Sequence, residues 1–267
     1  YAGSTDLNVH LDSINFSTEH QEFINAIEHP IFKEQCRDYF ANTQFRRDLF
    51  IRGKNNLTPL QTQQRLRNTA FMLLISPEKI PKTINGSLGE FNLIQEIYEP
   101  IGKLFKQKSY TPLTIKELET LIPALNYHQI LNGLVILCHL GLAQPCQNNT
   151  TPEMIEQSQK INLYFLEQAS YQAHYQVLAS ATTGIGIPTD HFTQLFYRAY
   201  FLEHLKTASQ FAEYVSEVLT ALKWLVIDQN GKSVTDKTET LRILELKAQE
   251  FIDSDKIQIA KQLKLFN

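Results

Sequence analysis

TIKELETLIPALNYHQILNGLVILCHLGLA, residues 114–143, holds the signals that place the whole chain in a fold class. Thr114 followed three residues later by Glu117 has the capping-box pattern. In it the hydroxyl takes a backbone N–H of the first turn while the carboxylate reaches back to the cap. A helix therefore starts at Ile115 and stops before Pro123. From Tyr127 to Leu140 the residues Ile130, Leu131, Leu134, Leu137 and Cys138 recur at helical spacing, with Gly141 as a left-handed cap and Leu142-Ala143 as a short apolar strand. Upstream, Phe91, Ile94, Ile97, Tyr98, Ile101 and Phe105 repeat at the same spacing in a helix that must kink or restart at Pro100. Three helices with a tight turn between the second and third, then a strand, predict a winged-helix-like unit over residues 89–150.

On the N-terminal side, residues 1–18 read as an extended lead-in, followed by two short amphipathic helices from Glu19 to Pro30 and through Phe32, Cys36, Tyr39 and Phe40. Leu66 to Ile75 alternates as a half-buried strand does, which predicts a small β element within a segment 1–88. On the C-terminal side, 151–267 reads as helical. One helix runs through Ala173 with Ile161, Tyr164, Phe165 and Gln168 along it, a turn spans Thr182–Pro188, and two helices cover 190–205 and 208–225. A hairpin turns at Asn230-Gly231, and one last helix extends from Thr238 to Phe266. The expected class is mainly α with small β elements, an α+β chain.

The balance of 25 Lys plus Arg against 28 Asp plus Glu leaves a formal charge of −3, so no global attraction draws the chain to phosphate backbones or anionic lipid. The longest apolar run, Leu134 to Leu142, is broken by His139 and Gly141, far short of the roughly 18 residues a membrane-spanning helix needs. Cys36, Cys138 and Cys146 form no C-x-x-C pair, which argues against a disulfide framework or structural zinc and for a reducing, cytoplasmic setting. Residue 1 is Tyr and no signal peptide follows, so the expectation is a piece of a longer protein.

Catalytic constellations do not emerge. The eight histidines fall at no metal-ligand spacing, no G-x-S-x-G elbow occurs, and Gly184-Ile185-Gly186 follows a helix and lacks the third glycine of a phosphate-binding loop. His139 and Cys36 read as core or boundary residues. One feature stands out. Arg46, Arg47, Arg52, Lys54, Arg65 and Arg67 against Asp48 give a net +5 within 22 residues, interleaved with Phe45, Phe50 and Ile51. Its two readings are cations held in intramolecular pairs or in solvent, and a docking or substrate patch for another domain or partner.

Three stretches carry a resemblance: Tyr1-Ala2-Gly3; Glu34-Gln35-Cys36-Arg37-Asp38-Tyr39-Phe40; and Phe45-Arg46-Arg47-Asp48-Leu49-Phe50. They resemble the methyltransferase regulatory domain, whose pattern joins E-Q-Y-x-D-F to F-R-x-x-L-L. The spacing from Glu34 to Arg46 is kept, while Cys36 and Tyr39 replace the usual aromatics. Leu178-Ala179-Ser180 through Pro188, and Val234-Thr235-Asp236, look like the C-terminal portion of the same enzymes.

The resemblance implies the regulatory region of a bacterial S-adenosylmethionine-dependent methyltransferase of the protein-lysine type. A catalytic domain would precede this chain and hold the S-adenosylmethionine, with no catalytic, cofactor or metal residue inside residues 1–267. The implied partners are that catalytic domain, a protein substrate such as an outer-membrane protein, and a second copy in a homodimer. The rivals are a winged-helix DNA-binding regulator acting through Tyr127–Leu140 and a standalone interaction scaffold. The first is disfavoured because that helix has no Lys or Arg.

Overall fold

The computed structural model describes residues 2–53, 55, 57–227 and 230–266. They form two compact units, the first of Tyr1–Phe71, Pro77–Lys106 and Leu113–Gln144, the second of Met72–Ser76, Gln107–Pro112 and Pro145–Asn267.

The first unit opens with β1 (Gly3–Ser4), a 3-10 turn (Leu7–His10) and α1 (Asp12–Asn15). Then come α2 (Thr18–Ala26), α3 (Pro30–Ala41), β2 (Asp48–Leu49), α4 (Pro59–Arg67) and β3 (Ala70–Leu73), of which Met72 and Leu73 belong to the second unit. A hairpin of β4 (Thr83–Gly86) and β5 (Gly89–Asn92) leads into α5 (Gln95–Gln107). Next are β6 (Leu113–Thr114), α6 (Ile115–Leu121) and α7 (Tyr127–His139), then β7 (Ala143–Pro145). Local chemistry sets the helix starts: Ser17 accepts the N–H of His20 to cap α2, and Pro30 fills the first position of α3, where its missing N–H has no partner to lose. Both α6 and α7 carry full capping boxes, Thr114 with Glu117 and Asn126 with Gln129. Those hydrogen bonds to Thr114 draw the Glu117 carboxyl below its ordinary range. β3 pairs antiparallel with β6, Ala70 opposite Thr114 and Phe71 opposite Leu113.

The core of this unit lies where α5 meets α7. Ile101, Phe105, Ile115, Leu118, Ile130, Leu134 and Leu137 are fully buried. Gly133 lets the helices approach closely, because a side chain there would sit 3.1 Å from Ile97. Gly102 does the same for the turn at Pro77, whose Cβ lies 2.9 Å from where a Cβ would be.

The second unit contains α8 (Pro152–Ala169), a hairpin of β8 (Val177–Ser180) and β9 (Ile185–Pro188), α9 (His191–Phe201) and α10 (Ala208–Leu222). It closes with the hairpin β10 (Val226–Ile227) and β11 (Ser233–Val234), then α11 (Lys237–Asp253) and α12 (Lys256–Gln262). Its core is aromatic: Phe196 packs on Phe211 and Phe251, and Tyr197 on Phe251 and Phe266, with ring centroids 5.3–5.9 Å apart. Asn162, fully buried on α8, donates to the carbonyls of Ala179 (2.8 Å) and Leu265 (3.0 Å) and accepts the N–H of Ala179 (2.6 Å). One amide thereby fastens a helix, a strand and the C-terminal segment. Asp255, in the break between α11 and α12, donates its N–H to the Ser76 hydroxyl and accepts the Tyr110 hydroxyl at 2.5 Å. The two short inserted stretches of this unit are pinned at that one residue.

The α+β class stands, and the capped helices fall where the sequence puts them. Several boundaries differ, each for a local reason. The expected extended lead-in contains a 3-10 turn and α1. α4 takes Leu66 and Arg67 from the strand expected over Leu66–Ile75, because Pro59 starts a helix behind a Thr58–Gln61 capping box, and the strand itself is β3. Phe91 lies in the β4–β5 hairpin, and α5 begins later and runs through Pro100. Thr182–Pro188 is the turn and second strand of a hairpin, closed by Gly184 at φ +71°. α8 ends at Ala169 and α9 at Phe201. α10 ends at Leu222 because Lys223 turns left-handed, and the single final helix is broken at Ser254-Asp255.

Candidate functional site

The residues of α3 and β2 build the most distinctive cluster of the first unit. On α3, Glu34, Arg37 and Asp38 fall at i, i+3 and i+4, which places them on one face. Asn42 then turns left-handed at φ 51° and reverses the chain, with the N–H of Thr43 donating to the Asp38 carbonyl. The returning segment pairs with β1, Gly3 opposite Leu49 and Ser4 opposite Asp48, supported by Ala2 N–H to Leu49 (2.7 Å) and Thr5 N–H to Arg47 (2.8 Å). In extended backbone alternate side chains share a face, so Arg46 and Asp48 go together and Phe45, Arg47 and Leu49 go the other way.

Arg46 reaches three carboxylates: Nε to Asp48 at 3.1 Å, one terminal nitrogen to Asp38 at 2.9 Å and the other to Glu34 at 3.0 Å. Glu34 is shared, its second oxygen accepting from Arg37 at 2.7 Å while Arg37 also holds Asp12 at 2.7 Å. Burial acts to lower the Arg46 pKa, but the bonds from Glu34, Asp38 and Asp48 outweigh it and hold the guanidinium well above its ordinary value. Arg37 is raised against the same burial penalty by Asp12 and Glu34.

The other cations of the predicted patch do not join this clasp. Arg67 makes a two-pronged pair with Glu119 at 2.8 and 2.9 Å and lies over the Tyr127 ring at 4.8 Å. Arg47, Arg52 and Arg65 are exposed and pair with no carboxylate among the described residues, and Lys54 lies outside those residues. The structure divides the patch into two paired arginines and three solvated ones.

What these elements display instead is apolar. Phe23, Ile31, Phe32, Tyr39, Phe45, Leu49, Phe50, Ile51 and Leu60 are each more than half exposed, reaching 92% at Phe45 and 76% at Tyr39. Two hollows flank the clasp. One, about 380 Å³, is lined by Asn15, Phe16, Thr43, Phe45, Arg47 and Ser87 beside the ion pairs. The other, a groove of about 280 Å³, is lined by Ile31, Gln35 and Phe50 beside the same pairs. Charge counting in the sequence does not reveal this surface; the adjacency of Phe50 and Ile51 in a polar segment was the available signal.

Residues 1–52 match the family described as a predicted methyltransferase regulatory domain. The resemblance carried by Glu34, Asp38 and Arg46 is thus borne out over this segment, and the clasp shows what that pattern does physically: it ties the β2 return to α3. Along the whole chain, an uncharacterized protein of Synechocystis sp. (strain ATCC 27184 / PCC 6803 / Kazusa) is 29% identical over 266 residues, covering 98% of this chain and 51% of the relative. Among solved structures, PKMT2 from Rickettsia typhi in complex with AdoHcy superposes with a TM-score of 0.52 at 15% identity, covering 96% of this chain and 54% of that one. That likeness shows a shared fold. This chain spans about half the length of both.

Among the described residues no group of three His, Cys, Asp or Glu is placed to hold a metal. No described helix is long and apolar enough to cross a membrane. The glycines of 184–186 do not fit a cofactor phosphate. The space a Cβ would take at Gly184 is filled by Gln147, and that at Gly186 by Val177, so both glycines serve hairpin packing. α7 buries Tyr127, Ile130, Gly133, Leu134 and Leu137 and leaves His128 and Asn132 exposed, with no Lys or Arg along it to pair with phosphate.

Proposed function

We propose that this chain is the regulatory, dimerisation and substrate-recognition region of a protein-lysine-type methyltransferase whose S-adenosylmethionine site lies in a separate catalytic domain. The observation that carries this reading is the coincidence of the family match over residues 1–52 with the exposed apolar surface of α2, α3 and β2. Exposed apolar residues in such concentration mark interaction surfaces. Phe23 on α2, Ile31, Phe32 and Tyr39 on α3 and Leu49 on β2 are each more than half exposed, and Phe45, Phe50 and Ile51 flank β2. A second copy of the chain is the proposed occupant. The cation patch becomes secondary in this reading, with Arg47, Arg52 and Arg65 as rim charges and Arg46 as scaffold. A recognition module of this kind accelerates methyl transfer by orienting the acceptor nitrogen, which needs no reactive group of its own. A cytoplasmic setting and a bacterial envelope protein as substrate belong to the same proposal.

Sedimentation equilibrium of the 267-residue protein tests it. The expected result is a dimer at micromolar concentration that Phe32→Ser with Phe50→Ser converts to a folded monomer. A wild-type protein that stays monomeric at 100 µM, or a dimer indifferent to both substitutions, would overturn the interface.

A further inference from the structure

The clasp is not balanced in charge. Four carboxylates, Asp12, Glu34, Asp38 and Asp48, gather around two guanidiniums, Arg37 and Arg46, which leaves two negative charges in excess among the described residues. Asp38 and Asp48 each reach Arg46 through Oδ1 alone. Their Oδ2 atoms accept no hydrogen bond from the described residues, and the two side chains keep 29% and 21% exposure. Both carboxylates line the 280 Å³ groove together with Ile31 and Phe50, which are more than half exposed. That volume falls just under the range of about 300–1,000 Å³ typical of small-molecule sites, a size for one long side chain. Open carboxylate oxygens beside apolar walls suit a cation on an aliphatic stem, and a guanidinium can also lie against a Phe ring.

The same surface carries such a cation. Arg52 follows Phe50 by two residues, so its Cα lies within about 7 Å of the Cα of a groove residue. Gly53 turns left-handed at φ +70° directly after it, and Arg52 is exposed and pairs with no carboxylate among the described residues. The other cations nearby are less suited: Arg47 lies on the opposite side of the extended segment from Arg46 and Asp48, and Lys33 donates to Asn25 at 3.1 Å. In a two-fold dimer one patch meets itself, so a groove with excess negative charge and a free arginine on one surface can exchange contacts. We propose that Arg52 of each protomer seats in the groove of the other, its stem between the partner's Ile31 and the partner's Phe50 and its guanidinium on the partner's Asp38 and the partner's Asp48. This contact, which rests on the dimer reading above, fixes how the two copies register.

Dimer dissociation constants from sedimentation equilibrium of the 267-residue protein, at about 50 and 500 mM NaCl, test the contact. Arg52→Gln should raise the constant at least about tenfold at the lower salt, because the two-fold axis repeats the pair and its loss counts twice. Arg52→Lys should raise it less, and Arg47→Gln by less than about twofold. Salt should weaken the wild-type dimer more than the Arg52→Gln dimer. Asp38→Asn, whose amide oxygen can still accept from Arg46, should weaken the wild-type dimer yet add less than about twofold to Arg52→Gln. Fully additive losses in the double variant would report damage to the clasp and overturn the contact. A wild-type dimer that Arg52→Gln leaves intact also overturns it, assigning the groove another occupant while the dimer itself stands. A protein that stays monomeric at 100 µM overturns the dimer and this contact together. Hydrogen exchange at the Ala2 and Thr5 amides in each variant separates a lost contact from an unravelled β1–β2 return.

Discussion

Replacing Arg46 with Ala removes the one side chain that joins Glu34, Asp38 and Asp48, and the structure sets the size of the effect. The guanidinium is 15% exposed and its three partners 18–29%, so the pairs lie between fully desolvated and surface ones. Hydrogen bonds to charged groups contribute about 1.5–3 kcal/mol each when buried, while exposed ion pairs contribute about 0–1. Three half-screened pairs therefore amount to about 2–4 kcal/mol, with Glu34 cushioned because Arg37 still holds it. Because every 1.4 kcal/mol is tenfold, the local opening constant of the β1–β2 ladder should rise roughly 30- to 1,000-fold. Native-state hydrogen exchange reads this directly at the amides of Ala2 and Thr5, which donate to Leu49 and Arg47. Arg47→Ala, at the adjacent exposed arginine, should change the same amides by less than about threefold. If both variants lose protection equally, or Arg46→Ala loses less than about fivefold, the clasp is not what holds the return strand and the reasoning fails.

Two further predictions concern the second unit. Asn162→Leu should destabilise it by about 3–5 kcal/mol in urea unfolding followed by Trp224 fluorescence, because the Ala179 N–H and the Ala179 and Leu265 carbonyls lose a fully buried partner; a cost below about 1 kcal/mol would show that water replaces the amide. Asp190 caps α9. Its burial acts to raise its pKa, but the Thr193 hydroxyl and N–H and the Lys256 charge prevail and depress it. A depressed carboxylate stabilises above its unfolded value of about 3.9 and loses that contribution as pH falls through the folded value. Asp190→Asn should accordingly be less stable than wild type at pH 7, with the gap closing below about pH 4; a gap of constant size from pH 7 to 3 contradicts the assignment.

The parts of this fold that could be read from sequence are those fixed by near neighbours. Thr114 with Glu117, and Gly141 after α7, act within one turn, so spacing alone finds them. The pairing of Val226-Ile227 with Ser233-Val234 around Asn230-Gly231 is local in the same way, although residues 228 and 229 of the turn lie outside the described residues. The β4–β5 and β8–β9 hairpins escaped because helical spacing of nearby apolar residues absorbed Phe91 and because a two-glycine turn resembles a plain loop. The charge patch shows the same limit in electrostatics. A window of 22 residues centred on the arginines counts Asp48 but not Glu34, Asp38 or Glu119, the partners that fold back onto it. What the family pattern conserved as spacing, the tertiary structure spends on neutralisation. The exposed apolar face was hidden for the opposite reason: amphipathic spacing says which side chains share a face, and nothing about whether that face is covered.

The pinning of Ser76 and Tyr110 at Asp255 has a consequence for biosynthesis. Met72, Leu73 and Tyr110 are among the most deeply buried side chains, yet the residue that Ser76 and Tyr110 fasten to lies 179 and 145 positions further along the chain. During translation these apolar stretches must wait, without that anchor, while the intervening residues are made. The nascent chain therefore passes through a long interval in which a holdase chaperone has something to grip, and no single backbone cut can release the C-terminal unit whole.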